Sequence, residues 1–223
     1  MVKRVALLSD IHANLLALEA VIADLPEVDA IWVTGDTVGY GPDPSDVLAL
    51  LRERGATMVA GNHDIAVATG RGLEEFNRMA REAARAHRGW LSAEERDHLA
   101  ALPLTLEVGA FTLCHGSLRD PVWEYVTSQK QADATIALSR TTHCCNGHTH
   151  VPRIFRVGER MLVNPGSVGQ PRDGDARAAY AVIDTDAGAI EFRRAMYDVA
   201  QTQRRIRARG LPAFLADRLS VGY

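Results

Sequence analysis

Residues 5–41 read VALLSDIHANLLALEAVIADLPEVDAIWVTGDTVGYG, and their pattern predicts the fold. Arg4–Leu8 is a short apolar run with the character of a buried strand. Asn14 is placed to cap a helix carrying Leu15, Leu18, Val21, Ile22 and Leu25 at helical spacing, and Pro26 stops it. Ala30–Thr34 is the next strand. Pro44-Ser45 opens a second helix with Val47, Leu48, Leu50 and Leu51, which ends near Gly55, and Thr57–Ala60 is a third strand. Strand, helix, strand, helix, strand implies right-handed crossovers and a parallel sheet, hence an α/β fold.

Residues 64–101 differ in being Ala-, Arg- and Glu-rich with helical spacing, as in Phe76, Met79, Ala80, Ala83, Ala84 and His87. Ser92-Ala-Glu-Glu95 is a capping box for a second helix there. This segment is expected to be a helical insert within a single domain spanning 1–223, serving as a lid or a dimer face. Beyond it the chain is strand-rich. Leu104–Val108 and Phe111–His115 form a hairpin candidate, Gln129–Ser139 a helix, and Thr142–Cys145, Arg153–Val157 and Arg160–Val163 short strands. Ala178–Asp184 and Ala189–Ala195 flank a turn, and a helix rich in arginine follows.

At 223 residues, with 47% apolar and 24% charged residues, the chain is neither disordered nor fibrous. No apolar run approaches the ~20 residues of a membrane span. Three cysteines without framework spacing, and an N-terminal apolar run too short for a signal peptide, lead to the expectation of a reducing, cytoplasmic setting. A net charge of −3 argues against an extended nucleic-acid surface.

Five short motifs carry the chemistry: Asp10-Ile-His12, Gly35-Asp36, Gly61-Asn62-His63-Asp64, His115-Gly116 and Gly147-His148-Thr149-His150. Three directly follow predicted parallel strands, and the carboxyl ends of such strands form the ligand crevice. Asp-x-His and His-x-His place two donors on one side of an extended segment. Carboxylate oxygen with imidazole nitrogen suits Mn²⁺, Fe²⁺, Zn²⁺ or Ni²⁺, and the set is too large for one ion. Five of the eight histidines lie in these motifs. His87 and His98 fall outside and read as surface helix residues. Bound divalent ions would also invert the local charge: two of them take the formal balance from −3 to +1, concentrated in one cleft.

In order and spacing, the set resembles the calcineurin-like metallophosphoesterases, whose pattern runs D-x-H, G-D, G-N-H-[DE], H and G-H-x-H. The likeness spans Asp10 to His150, and Asn164-Pro-Gly-Ser-Val168 also looks like the family. It implies a four-layer α/β/β/α sandwich with two divalent metal ions (Mn, Fe, Zn or Ni). One would be held by Asp10, His12 and His150, the second by Asn62, His115 and His148, with Asp36 bridging. The compact form resembles stand-alone bacterial and archaeal phosphodiesterases, which implies hydrolysis of a small, nucleotide-derived or similar phosphoester by a two-metal-activated hydroxide. His63 is then the candidate phosphate contact or general acid, with Asp64 orienting its ring.

The protein phosphatases and symmetrical diadenosine tetraphosphatases carry G-D-x-V-x-R-G, but here Tyr40 stands in the arginine position. That disfavours dinucleoside-polyphosphate and phosphoprotein hydrolysis. Replacement substrate contacts are Tyr40 itself, Arg119, Arg172 and Arg177, arginine being the suited fork for phosphate oxygens. Trp123 and Tyr125 are aromatic enough to stack a nucleobase, although packing is the better reading. A non-catalytic scaffold, as in a retromer subunit of this fold, is disfavoured because no ligand position is missing. The expected partners are therefore a small phosphoester and a second copy of the chain, with no membrane and no extended nucleic acid.

Overall fold

The computed structural model describes residues 3–223. Its strands are β1 (Arg4–Leu8), β2 (Ala30–Val33), β3 (Thr57–Met58), β4 (Thr105–Val108), β5 (Phe111–Cys114), β6 (His143–Cys145), β7 (Arg153–Val157), β8 (Arg160–Asn164), β9 (Ala178–Asp184) and β10 (Ala189–Ala195). The helices are α1 (Leu15–Asp24), α2 (Pro44–Glu53), α3 (Asn62–Thr69), α4 (Arg78–Trp90), α5 (Ala93–Ala101), α6 (Gln129–Leu138), α7 (Val199–Ala208) and α8 (Ala213–Asp217). None of them is long and apolar enough to cross a membrane.

Two five-stranded sheets form, in the orders β10-β9-β1-β2-β3 and β4-β5-β6-β8-β7. The expected parallel core is present: β1 pairs in parallel with β2, Val5 opposite Ala30 and Leu8 opposite Val33, and β2 with β3. In the second sheet β5, β6 and β8 run parallel, and hairpin partners β4 and β7 close the edges.

β1 shows why this is a layered sandwich. Its period of two sends Val5 and Leu7 toward Phe111, Leu113, Met161 and Val163 of the other sheet. Ala6 and Leu8 face the opposite way, into a cluster with Leu18 and Val21 of α1 and Val47 and Leu51 of α2. A strand covered on both faces must be apolar throughout, which explains the uninterrupted run Val5–Leu8. On the far side of the second sheet Cys144 and Leu162 pack against Ala132 and Ile136 of α6. The result is the four-layer α/β/β/α architecture.

Local signals explain most boundaries. Asn14 accepts from Ala17 N at the start of α1, and Ser92 with Glu95 makes the capping box of α5. Several strand and helix ends shift by one residue from the sequence expectation, and two differ by more. β3 is shorter than Thr57–Ala60, because Ala60 N donates to Pro103 O and leaves the ladder. The helical segment begins at Asn62, so that residue sits in the first turn of α3. The segment 62–101 packs into the body of the molecule: Ala66, Val67, Ala80, Ala83, Ala84 and Leu99 share one cluster with Val38, Tyr40, Ile206 and Leu215.

His87 corrects the expectation of a surface residue. It is fully buried on the apolar stripe of α4, where Ala80, Ala83 and Ala84 precede it at i−7, i−4 and i−3. Burial pushes its imidazole down to about 3. An unfolded chain titrates this ring near pH 6.5, so between roughly 6.5 and 3 the unfolded state holds the extra proton. Stability from this group is therefore complete above the unfolded value and drains away as pH falls. In the metal-free protein, His87→Gln is expected to flatten the fall of unfolding free energy between pH 6 and 4 by up to about 1.4 kcal/mol per pH unit. Denaturant titrations at stepped pH measure this, and parallel slopes for the two proteins would refute it.

Candidate metal centre

The loops after β1, β2 and β3 meet those after β5 and β6 at one end of the sandwich, bringing Asp10, His12, Asp36, Asn62, His115, His148 and His150 together in a buried site. The route differs from the extended-segment geometry expected for Asp-x-His and His-x-His. Asp10, His12, Asp36, His148 and His150 all have φ between 49° and 68°, the left-handed region that non-glycine residues rarely occupy. The only other described non-glycine residues with positive φ are Ala13 and Tyr40, in the same loops. Such conformations cost about 1–3 kcal/mol each and persist only where surrounding structure over-determines them. Turning the chain at these points sends His148 and His150 into two different clusters.

The ligating atoms of Asp10, His12 and His150 lie within 4.8 Å of one another, and so do those of Asp36, His115 and His148. Asp36 Oδ2 stands between the two, 3.7 Å from His12 Nε2 and 3.4 Å from His115 Nε2. Both carboxylates are aimed in the same way. Asp10 Oδ2 accepts from Ser9 Oγ at 2.7 Å and His148 N at 3.0 Å, which leaves Oδ1 facing His150 Nε2 at 3.2 Å. Asp36 Oδ1 accepts from His63 N at 2.9 Å, which leaves Oδ2 inward. A Cβ on Gly61 would overlap Asp36 Oδ1, so that position admits only glycine beside this carboxylate.

Backbone carbonyls fix the imidazoles. His12 Nδ1 lies 3.1 Å from Val38 O, His115 Nδ1 2.8 Å from Thr34 O and His150 Nδ1 2.5 Å from Gln170 O. A carbonyl can only accept, so Nδ1 carries a hydrogen and Nε2 is the nitrogen turned inward. On His12 and His150, whose imidazoles burial pushes down, the lone pairs face one another with the Nε2 atoms 3.1 Å apart. On His115, burial is outweighed by Asp36, which pushes the imidazole up to about 9, so Nε2 holds a proton 3.1 Å from Asn62 Oδ1 that a metal ion would replace. Two imidazole acceptors held as close as those of His12 and His150 in a buried site call for a cation, a proton or a metal ion, between them. Asp10 Oδ1 is buried without a hydrogen-bond partner, which fits the same chemistry, and His148 turns Nδ1 toward His115 Nε2 at 3.0 Å. Burial alone pushes the Asp10 and Asp36 carboxyls up, but neighbouring histidines (His150 and His115 respectively) outweigh it and hold both below the usual carboxylate range.

The remaining candidates separate. Tyr40, His63 and Arg172 line a cleft of about 150 Å³ over the site, with Phe76, Trp123 and Tyr125 as its apolar walls. Arg172 donates from Nη2 to Gln170 Oε1 at 3.0 Å, and its Nε is buried without a partner. Arg119 is ion-paired with Glu124 and Arg177 with Asp175 at 2.6 Å, and neither lines the cleft, so their forks are already spent. Trp123 packs on Phe76, while Tyr125 is half exposed and stacks on His148 at 3.9 Å.

Asp64 does something other than orient His63. Its oxygens accept from the backbone N–H groups of Asp36, Thr37, Val38 and Gly61 at 2.8–3.2 Å, and from Thr37 Oγ1 at 2.6 Å. With those donors in place the carboxylate has no lone pair for the His63 ring, whose Nδ1 is buried and unpartnered. Burial and Asp36 push the Asp64 carboxyl up to about 6, so it remains ionised at neutral pH. Burial also pushes His63 down to about 4, which leaves a neutral imidazole stacked on Phe76 at 4.4 Å.

Comparison with known proteins agrees with this geometry. A model of the calcineurin-like phosphoesterase superfamily domain matches residues 4–188. The chain belongs to that superfamily. It is similar to a crystal structure of a metallophosphoesterase from Sphaerobacter thermophilus, at 40% identity and a TM-score of 0.90 with both chains fully covered. It is 32% identical to the uncharacterized protein MJ0912 of Methanocaldococcus jannaschii over 98% of each chain. It is also 30% identical to the phosphodiesterase YfcE of Escherichia coli (strain K12), over 82% of this chain and 88% of that one.

Proposed function

We propose that the protein hydrolyses small phosphodiesters with two divalent ions, one held by Asp10, His12 and His150, the other by Asn62, His115 and His148, and Asp36 shared between them. The observation that carries this reading is the position of Asp36 Oδ2 between His12 Nε2 at 3.7 Å and His115 Nε2 at 3.4 Å. When bound, such a pair supplies positive charge to the phosphoryl oxygens and a nucleophilic water near neutral pH. The E. coli phosphodiesterase supports the diester preference.

The chain's own residues supply binding and proton handling. Arg172, with its buried and unpartnered Nε, takes the place of the missing arginine at position 40 and meets a phosphate oxygen. His63, neutral at pH 7, donates an N–H to the phosphoryl or leaving-group oxygen. Phe76 and Trp123 exclude water from one side of the cleft. The helical segment at 62–101 is a fixed wall of the cleft, a role supported by the core it shares with Val38 and Tyr40.

The test is metal-free protein reloaded with Mn²⁺, Ni²⁺ or Zn²⁺ and offered a bis-aryl phosphodiester or an aryl phosphomonoester. Faster turnover of the diester is expected, and a fully loaded protein that turns over neither substrate would overturn the reading. Arg172→Ala is expected to raise KM about tenfold with metal content unchanged. His63→Ala is expected to lower kcat about a hundredfold for alkyl leaving groups and less for aryl ones. Equal losses for both leaving groups would remove His63 from that role.

A further inference from the structure

His87 lies outside the candidate metal centre, on a helix of the 62–101 segment, yet it is fully buried and both ring nitrogens are used. Gly39 N donates to Nδ1 at 3.0 Å, and Nε2 donates to Gly41 O at 2.8 Å. One neutral tautomer satisfies both bonds. The two glycines flank Tyr40. Gly39 at φ 90° and Tyr40 at φ 59° are both left-handed. The loop has little choice of path: a Cβ on Gly39 would overlap the ring of His63, and Gly41 N donates to His12 O at 3.0 Å. The Tyr40 ring lies 4.4 Å from the His63 ring and 4.7 Å from that of His12.

We infer that His87 is a positioning residue, clamping residues 39–41 from behind so that Tyr40 holds the rings of His63 and His12 in register over the cleft. The role in turnover rests on the proposed function; the control of ring position does not. A residue that merely fills space could be replaced by leucine in this apolar cluster without consequence, whereas a two-bonded clamp could not. Asparagine keeps an acceptor near the position of Nδ1, and glutamine keeps a donor near that of Nε2, so each preserves half of the clamp.

The test uses the full chain with His87→Leu, His87→Asn and His87→Gln. In metal-free protein, the His63 imidazole NMR signal is identified by its loss in His63→Ala and followed in each variant. In metal-loaded protein, metal content, kcat and KM are measured on a bis-aryl phosphodiester. His87→Leu is expected to shift the His63 signal and to lower kcat at least tenfold, with two metals retained and KM within about threefold. The two amide variants are expected to fall between it and the wild type. An unshifted His63 signal in folded His87→Leu, or a kcat loss that only tracks metal loss, would overturn the inference. If the leucine variant does not fold, the amide variants decide: wild-type signals and rates in both would overturn it. If the wild type itself turns over no substrate, the proposed function fails, and the NMR shift alone decides the positioning.

Discussion

Asp36→Asn is expected to lower kcat by about a thousandfold or more and to abolish paired metal binding, with the fold intact. The amide oxygen can still accept from His63 N, which now holds Asp36 Oδ1 at 2.9 Å, so the loop keeps its anchor. The change falls on the other arm. A neutral NH₂ donor replaces the oxygen that lies between His12 and His115, where a shared cation needs negative charge. Elemental analysis after exhaustive dialysis, together with turnover, measures the effect. Two ions per chain at the wild-type rate would rule out the bridging role proposed for Asp36.

Asp64→Asn should be the most damaging single change to stability at the site. An amide can present acceptor lone pairs on one side only, and its NH₂ must then face either Asp36 N and Gly61 N or Thr37 N and Val38 N. Buried donors opposed to donors, with the loss of charge-assisted bonds, cost about 3–5 kcal/mol. At about 2–4 °C per kcal/mol for a chain of this size, the melting temperature should fall by about 10 °C or more. A melting curve within about 2 °C of wild type would show that the loop holds itself.

The alternation from β1 to β3 was readable because each element carries its own local marker: Asn14 as a cap, Pro26 as a stop, Pro44 as a start. The candidate ligands were readable as a set because their residue types follow strand ends. Their geometry was not, because Asp and His adopt left-handed backbone more readily than most residues yet nothing local marks which of them will do so, as Asp10 and His150 do. The partners of Asp64 are hidden from the sequence for a similar reason. Adjacency in sequence suggested His63 as its partner, whereas the first turn of α3 aims the carboxylate at the backbone of residues 36–38 instead. His87 could have been placed correctly: it occupies the same helical stripe as Ala80, Ala83 and Ala84, and a histidine on such a stripe is buried with its polar atoms satisfied.

Each candidate ion site draws on both sheets. Asp10 and His12 follow β1 and Asp36 follows β2, whereas His115 and His148–His150 follow strands of the other sheet. An ion held by Asp10, His12 and His150 would act as a removable cross-link between the halves of the sandwich, closing a loop of more than a hundred residues at no covalent cost. Its grip is measured by mass action, so the melting temperature should climb with free metal concentration and fall on chelation. The melting curve of the protein would thus double as a gauge of metal supply, readable without any substrate.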